Sequence, residues 1–226
     1  MALRRHRRTA RREDLDLTPG EFALLKRLAT PQQIQLFVNA IPANHEIGGE
    51  TILSVQQVLR QRRAHCIEAA LVSACALWIH GRPPLVMHLD CAPNDFPHVV
   101  ALFRRGACWG AISKSNGQHL RYRDPIYRSL RELAISYFHE YFDKRGHKTL
   151  RSHSGAFDMR RIVPELWVTN PRVCAEANDR LASLRHYALL SVAQQHSLAR
   201  RDRFERAAAK MVEYPRPPDS RSEGGG

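Results

Sequence analysis

The chain has no run of eighteen apolar residues, no C-x-x-C pair and no calcium loop of the D-x-D-x-D-G kind. The first absence removes the expectation of a transmembrane helix. The second, with cysteines scattered at 66, 75, 91, 108 and 174, leaves neither a disulfide framework nor zinc spacing, so most of these thiols read as small buried hydrophobes. The third argues against calcium dependence. No cofactor and no metal is expected. The N-terminal MALRRHRRTARRE is basic, but no apolar stretch follows it, so it does not read as a secretory signal and a soluble cytoplasmic protein is expected. There is no internal repeat.

What remains is 226 residues, enough for one domain or one domain with a helical appendage, with a hydrophobic content of 43% that lies clear of the disordered range. The net charge of +13 is uneven: residues 1 to 12 hold six arginines and no acid, leaving +7 on the other 214. Such an arm implies weak polyanion binding through counterion release, or simply a solvated tail. A second basic cluster, LARRDRFERAAAK at 198 to 210, is interrupted by Asp202 and Glu205. No basic-aromatic module of nucleic-acid-reading spacing accompanies either.

Thr18-Pro19 and Thr30-Pro31 each supply an N-cap followed by proline at the first helical position, predicting two short helices. A loop over 42 to 51 and a helix over 53 to 62 follow. From 64 to 79 the chain is apolar on nearly every side except Glu68 and Ser73, which predicts a helix buried all round and stopped by Gly81. Residues 85 to 89, HVVALF (98 to 103) and CWGAIS (108 to 113) read as strands, the last two joined by RRGA as a hairpin. IYRSLRELAISYFHEYF (126 to 142) reads as one long amphipathic helix, and 171 to 212 as helical again. The aromatic stripe of ISYFHEYF reads as core packing, with any exposed remainder offering a homodimer face. The expected fold class is α+β: a basic disordered arm (1–16), a core (17–165), a helical C-terminal extension (166–213) and a flexible tail (214–226).

Cys66 stands apart from Cys75 because it opens the buried helix rather than lying inside it. A thiolate is the nucleophile, and a helix amino end, here preceded by Arg60, Arg62 and Arg63, lowers a thiol's pKa. Of the twelve histidines, His6, His147, His186 and His196 sit in polar surroundings, whereas His98 opens an apolar strand. Counting outward from an RRGA connection places Phe103 opposite Cys108 and His98 opposite Ser113, the position from which a side chain can hold the imidazole. Asn116 and Asp90 are the alternatives for that role. Gln56, Gln57 or Gln61 would complete an oxyanion hole with the Cys66 N–H.

AHCIEAALVSACAL followed by HVVALF and CWGAIS resembles the core of the transglutaminase-like superfamily, the papain-related cysteine fold. The stretch from TPQQIQLFVNAIP through WGAISKSN and RDPIYRSLRELAISYF resembles a bacterial subgroup of it, over about residues 28 to 150. The resemblance implies a nucleophile at Cys66, a base at His98, an aromatic at Trp109, and an acid at 113, where this chain has serine. It implies acyl transfer or amide hydrolysis on a peptide or amide substrate. The competing expectations are an inactive protein that keeps the fold, and a polyanion binder acting through its arginine arm.

Overall fold

The computed structural model describes residues 9–47 and 49–217. A short helix α1 (Arg12–Leu15) precedes α2 (Pro19–Lys26) and α3 (Pro31–Asn39). The two Thr-Pro starts behave as expected. Thr18 and Thr30 accept the N–H of Glu21 (3.3 Å) and Gln33 (3.2 Å), and those side chains return to the threonine N–H, a capping box that satisfies otherwise orphaned donors. Ser54 caps α4 (Val55–Gln61), and α5 (Cys66–Ile79) ends just before Gly81, whose φ of +74° is the left-handed stop that glycine permits.

The strands are β1 (Leu85–Cys91), β2 (His98–Arg105), β3 (Cys108–Ile112) and β4 (Arg123–Tyr127), then, after α6 (Leu130–Ile135), β5 (Leu150–Ser154) and β6 (Phe157–Asp158). α7 (Ala175–Ala182), β7 (His186–Ala188), α8 (Val192–His196) and α9 (Arg203–Ala208) complete the chain. The pairings between these strands are antiparallel, in the order β4-β3-β2-β1-β5-β7 with β6 on β1. The protein is therefore α+β.

Alternation along the strands makes two cores. Val86, Val99, Ala101 and Phe103 face α5 and the helices around it, while Met87, Leu89, Val100 and Leu102 face α6 and the aromatic turn after it. α5 has every residue from Ile67 to Ile79 buried, because helices cover it on one side and the sheet on the other.

Four sequence expectations need correction. The β2–β3 turn is the two residues Gly106 and Ala107, with Gly106 at φ +58°, so Arg105 pairs with Cys108 and Phe103 with Gly110. That shifts the register by two and leaves the face unchanged. The stretch 126 to 142 is not one helix: its start pairs with β3 as the end of β4, Ser129 caps α6 through the Glu132 N–H (3.1 Å), and after Ser136 the chain tightens into a 3₁₀ turn at Phe138–Glu140. Tyr137, Phe138 and Tyr141 are buried by that turn.

The expected disordered arm is docked from Ala10 onward, whose N–H donates to the Trp78 carbonyl at 3.1 Å while Leu15 is fully buried; residues 1–8 lie outside the described residues. The C-terminal extension is only partly helical, since β7 extends the sheet beyond β5, and Tyr214, expected in the flexible tail, is tied down at its N–H, carbonyl and hydroxyl. The tail from 218 lies outside the described residues. Among the described residues no helix is long and apolar enough to cross a membrane.

Candidate active site

Three segments meet at one cavity of 1250 Å³: the amino end of α5, the loop that enters β2, and the chain leaving β3. Cys66 is the first residue of α5 and half-buried in the cavity wall. Its N–H belongs to the first turn, where the helix itself offers no acceptor. The imidazoles of His98 and His65 both act on the Cys66 thiol. Burial pushes the thiol up, but the His98 charge, the hydrogen bonds from His65 and His98, and the His65 charge together hold it well below its ordinary value. Cys75, fully buried with no such partners, is pushed up by burial alone.

His98 is buried, and its Nε2 lies 2.7 Å from the Ser113 hydroxyl. That hydroxyl donates its one proton to the Leu120 carbonyl at 2.5 Å. It can therefore only accept from His98, so Nε2 carries a hydrogen and Nδ1 is the nitrogen left for the thiol. Extending the observed register puts Ser113 level with Val100, two residues from His98 on the same face. A diagonal neighbour at that offset is within reach of a ring.

Ser113 is itself fixed from α3: Gln35 accepts its N–H at 2.9 Å and donates to its carbonyl at 2.8 Å, as a strand partner would. Lys114 does the same for the next residue, its ammonium donating to the carbonyls of Val38 (2.9 Å) and Ile41 (2.5 Å) at the end of α3. Burial pulls that ammonium down to about 8.

The other proposed orienters are elsewhere. Asn116 donates to the Tyr214 carbonyl and accepts the Tyr214 N–H, both at 2.8 Å, so its amide clamps the C-terminal segment. Asp90 follows the residue paired with His98 and so faces away from it, accepting from Ser152 at 3.4 Å. The glutamines are also outside the site: Gln56 donates to Glu21, Gln57 to the Asn170 carbonyl, and Gln61 to Gln57. His45 lines the cavity instead and makes no hydrogen bond to a described residue.

His65 is the site residue that sequence reasoning missed. Its Nε2 faces only oxygens: the Thr51 carbonyl at 2.9 Å, Glu68 at 3.4 Å and Glu46 at 3.5 Å. That nitrogen is therefore a donor. Burial lowers the ring's affinity for a proton, but the hydrogen bond and charge of Cys66, with Glu68 and the Thr51 carbonyl, raise it to about 9. The signal in the sequence was plain adjacency, a histidine at the N-cap position before the thiol.

Glu68 is buried one turn inside α5. It accepts the N–H of Leu53 (2.8 Å) and of His65 (2.8 Å), the Asn44 amide (3.0 Å) and the Thr51 hydroxyl (3.1 Å). Among the described residues no group of three or more His, Cys, Asp and Glu side chains is arranged to hold a metal ion. Comparison of the chain with models of known protein families gives no match, and neither does comparison with curated proteins.

Proposed function

We propose that the protein is a cysteine-dependent acyl-transfer enzyme with a transglutaminase-like core. What carries the reading is the Cys66 thiol between the imidazoles of His98 and His65, with His98 fixed by Ser113. The thiolate attacks the carbonyl carbon of an amide or ester, and the oxyanion forms beside the Cys66 N–H at the positive end of α5. His98, protonated at Nδ1 in the ion pair, gives that proton to the leaving nitrogen or oxygen as the C–N or C–O bond breaks. Water or an amine then attacks the acyl-enzyme, with His98 taking its proton and Cys66 leaving as thiolate. Ser113 orients the ring without a charge to stabilise the imidazolium, while His65 and the helix end act on the other member of the pair and favour the thiolate.

The test is the pH dependence of iodoacetamide labelling at Cys66, read by peptide mass spectrometry against a free thiol. Wild type should label fast below pH 7, and His98→Ala should slow labelling at pH 6 by roughly 10- to 100-fold, since an unperturbed thiol is almost wholly protonated there and a low-pKa thiolate is intrinsically somewhat less nucleophilic. A Cys66 that follows the free thiol in both proteins would leave a protein with the architecture and no nucleophile.

A further inference from the structure

The far wall of the Cys66 cavity is built by the C-terminal segment. Arg203, Arg206 and Lys210 line it, and Lys144 joins them from the loop after Tyr141. Spacings of three and four residues put the first three on one side of α9 and the turn that follows it. The acids that seemed to interrupt this cluster are used elsewhere. Asp202 and Glu205 form the capping box of α9, each accepting the other's N–H at 2.7 and 3.0 Å, and Glu205 also pairs with Arg201 at 3.5 Å.

The three carboxylates in the cavity wall are spoken for as well. Asp95 accepts the Thr149 hydroxyl at 2.5 Å, Glu140 pairs with Arg123 at 2.6 Å, and Asp143 holds the ring and the N–H of His147, each at 2.9 Å. Among the described residues, Lys144, Arg203, Arg206 and Lys210 have no carboxylate partner.

Nor is this wall a loose end. Gly117 bridges to Val212, Asn116 clamps Tyr214, Arg121 pairs with Glu213 at 2.6 Å, and the Arg201 guanidinium lies over the Phe142 ring at 4.1 Å. Four cations without a carboxylate partner thus line one cavity, and like charges so placed favour an anion between them. The volume exceeds the usual range for a single small ligand, which suits a stretch of peptide.

From this convergence we infer that the cavity takes an acidic peptide, whose carboxylates lie on Lys144, Arg203, Arg206 and Lys210 while a carbonyl reaches Cys66. The inference rests on the acyl-transfer reading for what happens at Cys66, but not for what binds. Two iodoacetyl-capped peptides separate the two ideas: one ending in Ala-Ala-Glu-Glu and one in Ala-Ala-Gln-Gln, each reacted with Cys66 at low and high salt. At low salt the glutamate peptide should alkylate Cys66 about tenfold faster than the glutamine peptide, as a few screened ion pairs would provide. That ratio should fall toward one in high salt, and in Arg203→Gln/Arg206→Gln/Lys210→Gln at either salt.

Equal rates in wild type, or a preference that survives the triple substitution, would overturn the inference. Slow labelling by both peptides and by iodoacetamide would instead count against the acyl-transfer reading. The ratio stays readable in that case, because it reports binding ahead of the thiol's reactivity.

Discussion

Two imidazoles hold the Cys66 thiol, and they are held in turn by different means. His98 leans on a hydroxyl whose proton is committed to the Leu120 carbonyl. His65 leans on a carbonyl and two carboxylates, so its charge is compensated on the side away from the sulfur. A proton leaving the thiol therefore has an acceptor in His98, while His65 stays charged up to about 9 and stabilises the thiolate electrostatically. His65→Gln keeps a polar side chain at the N-cap and removes only the charge. It should move the Cys66 labelling curve up by about one pH unit without abolishing it, whereas His98→Ala removes the acceptor. A curve for His65→Gln superimposable on wild type would reduce that histidine to a packing role. Cys66, His98 and Ser113 were legible because each carries a local signal: a helix start, a strand start, a hairpin count. His65 was quoted with the cysteine yet passed over, and Gln35 carried no signal, since its contact with Ser113 joins residues 78 apart.

The amino end of α5 depends on Glu68 more than on any residue that touches the cavity. Its buried carboxylate gathers donors from the loop at Asn44 and Thr51, from the start of α4 at Leu53, and from the His65 backbone. Glu68→Gln would turn one acceptor into a donor among donors, and should destabilise the protein by about 2–3 kcal/mol. Glu46→Gln, in a half-exposed loop where one acceptor oxygen still serves Thr51, should cost less than about 1 kcal/mol. Urea unfolding with unchanged m-values reads both; equal shifts for the two would refute this hierarchy.

α5 was legible as a buried helix because sixteen nearly apolar residues have no other home, and β1 to β3 because short apolar runs were bounded by turn residues. The stretch 126 to 142 misled because its helical periodicity runs on through Ser129 and Ser136, residues that in the fold begin and end a helix of six residues. The hairpin misled by two residues, since RRGA serves equally as a loop or as strand ends around Gly106. That error preserved the face, which is why the His98–Ser113 contact survived a wrong register.

At the scale of the whole molecule, three histidines whose pKa is lowered by burial, His88, His119 and His153, make the fold sensitive to acid. On the far side of β1 from Leu89, the His88 Nδ1 sits 2.9 Å from the His186 Nε2, while the His186 Nδ1 is 2.7 Å from the Leu184 carbonyl. A carbonyl only accepts, so His186 carries its hydrogen on Nδ1, and its Nε2 lone pair receives the hydrogen of His88. Burial, then the nearness of His186, pulls His88 from 6.5 to about 4, and burial lowers His119 and His153 as well.

Between about 6.5 and 4 the unfolded chain binds a proton at position 88 that the folded chain refuses. Stability must therefore fall as the pH is lowered through that window, by an amount on the order of 3 kcal/mol from His88 at the most. His88→Gln can still donate to His186 but does not titrate. Its urea midpoint should lie below that of wild type at pH 7.5, where a native hydrogen bond has been altered, and the two should converge as the pH approaches 4. Curves that stay parallel from neutral to acid would show that His88 takes up its proton alike in the folded and unfolded chains, and that the acid limb comes from other groups.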